Sequence, residues 1–204
     1  MAALPSGGAI SQESRMPTPM GTSGVTRIST LVSLETALPN SAAICAAFGL
    51  VGLAGGAAVA GCCAQMIGFA AISFRENKVG GLVSQGLGTS MLQMPNIVKN
   101  PRVWIAPTVA SAITGPLATC LFRLEMNGPP VSSGMGTCGL VGPLGVYAGW
   151  VNDVAAGTKA AITGMYWIGL VLICLVLPAV LSLLIHALVR KAGWVKDGDL
   201  KLGA

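Results

Sequence analysis

Short polar side chains gather in two glycine-broken segments of an otherwise apolar chain. The first segment carries amides and hydroxyls, at Gln85, Thr89, Ser90, Gln93 and Asn96. The second carries Ser132, Ser133, Thr137 and Cys138, and Glu125 is the carboxylate nearest to it. Amides and hydroxyls hydrogen-bond neutral polar solutes, and a carboxylate accepts paired hydroxyls well. This chemistry makes a neutral sugar a natural ligand.

These segments therefore supply the candidate solute-binding residues. Half-helix starts present unpaired N–H groups and a positive dipole end, and transporters hold ligands near the midplane at such breaks. For each side chain, helix capping or a hydrogen bond between helices is the alternative role. The candidates are Gln85, Thr89, Ser90, Gln93, Asn96, Glu125, Ser133 and Thr137.

Other kinds of site lack their supporting residues. Gly134-x-Gly136-x-x-Gly139 matches the dinucleotide-binding fingerprint, but Asn127-Gly128-Pro129-Pro130 precedes it where a strand is required. The chain has one histidine and six cysteines without a CxxC pair, so neither a hydrolase triad nor a zinc site is expected. We predict no catalytic residue, no metal ion and no cofactor. The scattered basic residues argue against a nucleic-acid partner.

The composition places these segments in a lipid bilayer. The chain has 204 residues, of which 53% are hydrophobic and 9% charged, and its mean hydropathy is +0.73. Soluble domains carry about 25% charged residues, so this is an integral membrane protein. Its net charge of +5 is interpreted as juxtamembrane lysine and arginine.

Three long apolar blocks predict membrane-crossing helices, over residues 41–74, 103–122 and 160–189. One crossing needs about 20 apolar residues, so the first block is either a tilted helix or one helix plus an interfacial turn. The predicted fold is an all-α integral membrane protein with about three full transmembrane helices plus two Gly-rich re-entrant segments. The predicted domains are a polar irregular segment (1–40), a membrane-embedded domain (41–191) and a cytoplasmic tail (192–204).

The two broken segments, 79–98 and 131–150, are too short and too interrupted to cross as regular helices. Four glycines recur every three residues in the second, at Gly136, Gly139, Gly142 and Gly145. Irregular backbone at membrane depth is tolerated only where protein or water covers it. We therefore expect 84–96 and 132–145 to be re-entrant and to approach each other, with Thr89 and Thr137 facing inward near the midplane. An interfacial helix is the alternative for the first segment.

Basic residues separate into two sets if both broken segments return to the side from which they enter. Eight fall on one side, namely Arg75, Lys78, Lys99, Arg102, Arg190, Lys191, Lys196 and Lys201. Four fall on the other, namely Arg15, Arg27, Arg123 and Lys159. Because cytoplasmic loops carry an excess of Lys and Arg, we predict a multi-pass protein of the cell (inner) membrane with a cytoplasmic C-terminus.

Small residues predict a tight helix-packing face over 49–61. Gly52 and Gly56 form a GxxxG pair, and small residues let membrane helices approach closely. We favour packing within the chain over a dimer interface. Replacing Gly56 by Leu is therefore expected to disrupt folding.

Several stretches resemble one family of membrane proteins, namely Gly55–Cys62, Gln65–Phe69, Ser73–Asn77, Gly86–Pro101, Gly134–Gly142 and Gly193–Leu202. Over about residues 41–202 the chain resembles the EIIC-like membrane component (subunit IIC) of the bacterial sugar phosphotransferase system. That group includes a branch named as toxin-expression regulators. Its members are generally longer, so this chain looks like a short or truncated member.

The resemblance implies a membrane-embedded permease component that translocates a small polar solute, with a sugar as the expected class. Its implied partners are the lipid membrane, soluble phosphotransferase components and a second copy in a homodimer. Any phosphoryl transfer would need separate carrier proteins, so the chain by itself is not expected to be an enzyme. The alternative is a non-transporting membrane regulator or interaction protein of the same family.

Overall fold

A computed structural model describes residues 40–158 and 164–203. Residues 1–39 of the predicted N-terminal segment, including Arg15 and Arg27, lie outside the described residues, as does Lys159. Within the described ranges the regular elements are helical, and the only extended pairing is an isolated bridge between Gly52 and Met126. The all-α prediction is confirmed.

Nine α-helices follow in chain order through the described residues: α1 Asn40–Phe48, α2 Gly52–Ile72, α3 Phe74–Val83, α4 Met94–Lys99, α5 Ile105–Cys120, α6 Pro130–Ser133, α7 Val141–Ala155, α8 Gly164–Val171 and α9 Leu177–Lys191. The segments Ser84–Gly88 and Leu172–Val176 are π-helical, whereas Ser90–Gln93, Pro101–Trp104 and Cys138–Leu140 are 3₁₀ turns. The first apolar block is thus a short helix, a turn and one spanning helix.

Three helical stretches are long and apolar enough to cross a membrane, at Gly52–Ile72, Pro101–Cys120 and Gly164–Lys191. The third runs through α8, a π-helical turn and α9. Pro178 cannot donate to the carbonyl four residues back, and the π turn directly precedes this break. The three predicted spans are confirmed.

Helix α2 is the centre of the bundle and packs against both α5 and α9. Small side chains permit this closeness, since an added methyl group on Gly68 would lie 2.6 Å from Ser182 Oγ and 3.2 Å from Pro107 Cβ. We call the two ends of the bundle the Gly52 end and the Ile72 end, after the first and last residues of α2. Helix α5 runs antiparallel to α2, and α9 runs parallel to it.

One buried cluster fills the Gly52 half of the bundle, and includes Val59, Met126, Trp150 and Ile173. A second fills the Ile72 end, with Phe69, Ile72, Ile97, Val103, Val189, Val195 and Leu200. The last two come from residues 192–203, which we call the tail. Val195 and Leu200 therefore pack into the bundle, while Lys196 and Asp197 between them are exposed.

Residues 73–100 form a first hairpin, which enters and leaves at the Ile72 end. Its limbs share one contact surface, because Asn77 Nδ2 donates to Leu200 O (2.8 Å) and Asn96 Nδ2 donates to Lys201 O (3.0 Å). Its tip reaches the last turns of α2, where the Cβ position of Gly86 lies 3.5 Å from Ala70 Cβ.

Residues 127–153 form a second hairpin, which enters and leaves at the Gly52 end. Asn127 Nδ2 donates to Asp153 Oδ2 (2.9 Å) and joins the two ends. The tip reaches the middle of α2, where Gly136 lies against the backbone of Cys62 and Cys63. Helix α7 then returns beside the incoming limb.

The three-residue glycine spacing has two separate causes. Gly136 and Gly139 adopt positive φ angles of 54° and 52° and form the turn at the tip. Gly142 and Gly145 lie within α7 and face the incoming limb, where added methyl groups would lie 2.5 Å from Gly136 O and 2.6 Å from Ser132 Cβ. One spacing thus serves both a bend and a close helix contact.

Candidate functional site

The tips of the two hairpins meet beside α2. Residues of Ser84–Gly88 and of Cys138–Leu140 lie within 8 Å of each other between Cα atoms. We call these two segments, with Thr137 immediately before the second, the tip junction. The hairpins enter from opposite ends of the bundle. Their tips come together, as we expected of the two glycine-broken segments.

Three of the candidate amides form one hydrogen-bonded chain. Gln85 Nε2 donates to Ser73 Oγ (2.8 Å), and Gln93 Nε2 donates to Gln85 Oε1 (3.0 Å). Asn96 Nδ2 donates to Gln93 Oε1 (2.7 Å). Gln85 and Gln93 are fully buried, so these bonds satisfy polar groups that would be costly to leave unpaired.

The amide chain continues into the tail. Gln93 Nε2 also donates to Leu200 O (3.0 Å), and Asn96 Nδ2 also donates to Lys201 O. Both acceptors are backbone carbonyls. The geometry therefore gives Gln85, Gln93 and Asn96 a positioning role within the first hairpin.

Thr89 and Ser90 lie at the end of the first hairpin's tip. Thr89 Oγ1 accepts from Met91 N (3.2 Å) and caps the turn that follows. Both residues are half-buried. The conformation of Thr89 is extended, with φ −151° and ψ 138°, and this breaks the helical path and turns the chain back.

Ser133 and Thr137 lie in the second hairpin, in different surroundings. Ser133 Oγ donates to Leu50 O (2.7 Å) and ties the incoming limb to the Gly52 end. Thr137 is fully buried, and its hydroxyl finds no hydrogen-bond partner among the described residues. A buried polar group without a partner costs about 1–3 kcal/mol, so Thr137 Oγ1, like Ser182 Oγ and His186 Nδ1, retains the capacity for a further hydrogen bond.

Glu125 lies apart from the junction residues. It is half-buried between Leu124 and Met126 at the Gly52 end, and its backbone nitrogen lies 3.5 Å from the Cβ position of Gly56. At 1.5 Å per residue, Gly56 is about 9 Å along α2 from Cys62, where the second tip lies. The structure thus does not place Glu125 with the other candidates.

A cavity of about 540 Å³ opens at the Gly52 end. Its walls are mainly apolar and aromatic, and include Phe122, Arg123, Trp150 and Tyr166. None of the candidate residues lines it.

From the sequence we assigned no binding role to several residues that prove important in this region. Ser73 is fully buried and accepts the bond from Gln85, while Glu76, Asn77 and Asn100 bind the tail. A possible signal was the density of Asn, Gln and Glu directly after the first span, since such side chains bond irregular backbone. Asn100 Nδ2 also donates to Asp199 Oδ2 (2.9 Å), but the other partners in the tail are main-chain groups, which leave no mark in a sequence.

Three apolar helices around two opposed, glycine-broken hairpins define a multi-span, all-α membrane protein. The family described as "Phosphotransferase system, EIIC" matches residues 17–202, so this chain belongs to that family and is a membrane component of the phosphotransferase system. Searches of the curated proteins and of the solved structures gave no significant match.

Proposed function

We propose that this chain is a permease component that translocates a small polar solute, a sugar, through the tip junction. The observation that carries the proposal is the family match over residues 17–202. The geometry supports it, because two irregular segments meet beside the central helix and a buried hydroxyl there has no partner among the described residues.

In this proposal Thr137 contacts the solute directly, and the amide chain holds the first hairpin against it. Thr89 and Ser133 shape the two segments, one by capping a turn and the other by bonding Leu50 O. Glu125 would contact the solute at the Gly52 end, away from the tip junction. Separate soluble carriers would supply the phosphoryl group, and a second copy of the chain is the proposed oligomeric partner.

Thr137→Val is expected to weaken solute binding about fivefold, because one hydrogen bond contributes about 1 kcal/mol and the new side chain keeps the old shape. The free energy of unfolding should stay unchanged or rise, since the lost hydroxyl has no partner among the described residues. Equilibrium binding of radiolabelled hexoses, pentoses and hexitols to detergent-solubilised protein measures the effect.

Thr114→Val is the matched control for this substitution. Thr114 is also fully buried, but its hydroxyl bonds to Ser111 O within α5. Solute binding that falls equally in both variants would contradict the role of Thr137. A well-folded chain that binds no member of the panel would favour the regulator alternative.

We also propose that the Ile72 end faces the cytoplasm, because all eight basic residues of the larger set lie there. A cysteine at Asp197 should then be protected from an impermeant maleimide added outside intact cells. A cysteine at Ala156, beyond α7 at the opposite end, should react. Each is tested singly on a cysteine-free background, and the reverse pattern of labelling would contradict the orientation.

A further inference from the structure

The backbone of the tail is bound by side chains of the first hairpin. Glu76 accepts from Gly198 N and from Leu200 N, both at 3.1 Å. Asn77 donates to Leu200 O (2.8 Å) and accepts from Leu202 N (2.8 Å). Further on, Asn100 Nδ2 donates to Trp194 O (3.2 Å). The carboxylate of Glu76 and the amides of Asn77 and Asn100 thus form hydrogen bonds with main-chain groups spaced along the tail.

Apolar contacts fix the register of this interaction. Val195 is 4% exposed and Leu200 is 1% exposed, and both enter the cluster with Phe69 and Ile72. Arg102 stacks over Trp194, with its guanidinium carbon 5.6 Å from the ring centroid. Around these two buried side chains the tail folds into turns, in which Asp199 N donates to Lys196 O (3.3 Å) and Lys201 N donates to Gly198 O (3.2 Å).

The tail is joined to its own helix by backbone bonds, including Trp194 N to Val189 O (3.2 Å), and by few side-chain bonds among the described residues. Gly193 ends α9 with a φ of 75°, which turns the chain towards the hairpin. The ion pair between Arg190 and Asp197 is exposed to solvent, and such pairs contribute little. The hairpin therefore supplies most of the side-chain bonds that hold the tail.

The bound tail is connected to the tip junction through two side chains. Gln93 Nε2 donates both to Leu200 O and to Gln85 Oε1, at 3.0 Å each. Gln85 belongs to Ser84–Gly88, the segment that meets Cys138–Leu140. Loss of the tail would remove the bond from Gln93 to Leu200 O, and Gln93 is the residue that bonds to Gln85 in the tip junction.

We propose that the first hairpin carries a binding site for a peptide folded into turns, which tail residues 194–202 occupy, and that occupancy keeps the tip junction closed. The proposal rests on the proposed function only in treating the junction as the solute site. The test measures labelling at the junction in the absence of solute. Failure of solute binding would therefore leave this inference intact.

Cys138 is the native reporter for the test, because it lies in the junction and is half-buried. The other five cysteines are replaced by alanine, and the maleimide labelling rate is measured in detergent. Glu76→Gln removes the charge of the carboxylate that accepts hydrogen bonds from two backbone N–H groups of the tail. Labelling of Cys138 should therefore accelerate about tenfold. Asp197→Asn, which alters the tail without a bond to the hairpin, should stay within about twofold of the parent. Equal rates in all three proteins would overturn the proposal.

A second arm supplies the tail as a separate molecule. The chain ending at residue 193 should label as fast as Glu76→Gln or faster, and a synthetic peptide of residues 192–204 should restore slow labelling. The same peptide with Val195→Asp and Leu200→Asp should not restore it. If the shortened chain does not fold, the full-length variants still decide the question. A folded, shortened chain whose rate the native peptide leaves unchanged would overturn the inference.

Discussion

Replacing Gly56 by Ala is expected to lower the free energy of unfolding by about 3 kcal/mol, the upper end of the overpacking range, and Gly56→Leu by more. The added methyl group would lie 1.7 Å from Leu124 O and 2.7 Å from Leu124 C. These are backbone atoms, so no change of rotamer can relieve the overlap. Thermal unfolding in detergent, followed by tryptophan fluorescence, measures the loss.

The backbone of Leu124 has little freedom to move away. Leu124 N donates to Ala118 O (2.8 Å), and two residues further on Met126 exchanges two backbone bonds, of 2.8 and 2.9 Å, with Gly52. This contact supports the packing face predicted over 49–61. Within that face Gly56 approaches a neighbour closely, whereas an added methyl group on Gly52 would meet nothing within 4 Å.

Gly61→Ala is the matched control on the same helix. An added methyl group there would meet nothing within 4 Å, and alanine is favoured over glycine in a helix interior by about 1 kcal/mol. We expect this variant to be as stable as the parent or slightly more stable. An unfolding midpoint for Gly56→Ala that matches that of Gly61→Ala would refute the contact with Leu124.

Replacing Gly136 by Ala is expected to have an effect of comparable size, about 2–5 kcal/mol, because strain and overpacking add together. Its φ of 54° is unfavourable for any residue with a Cβ. The new methyl group would also lie 2.8 Å from Cys62 C and 2.9 Å from Cys63 N. We expect a lower unfolding temperature and faster labelling of Cys138, since the second tip must leave α2.

Gly139→Ala separates the two causes. Its φ of 52° carries the same backbone strain, but its Cβ would meet only Val141 Cγ2 at 3.8 Å. The expected cost is the strain alone, about 1–2 kcal/mol. If both variants lose the same stability, contact with α2 does not hold the second tip in place.

The outline of the fold could be predicted because its causes are local. Long apolar runs predict spans, and glycine and proline between polar residues predict breaks. The separation of basic residues then implied that both broken segments return to their own side. Each of these signals is carried by side-chain type within a short window.

The details of the site depend on distant partners. From the sequence, Gln93 and Asn96 could equally be solute ligands or structural groups. Only the structure shows that they donate to Leu200 O and Lys201 O of the tail. Thr89 and Thr137 each follow a glycine, yet Thr89 caps a turn while Thr137 is buried without a partner among the described residues.

The bonds between the first hairpin and the tail also determine when the chain can finish folding. They join residues 94 to 125 positions apart, so the hairpin leaves the ribosome well before its partner segment. At about 5–20 residues per second, that interval is roughly 5–25 s. During this time Glu76, Asn77 and Gln93 lack their later partners and must remain hydrated. Nascent chains released within the interval would expose this polar surface to cellular proteases.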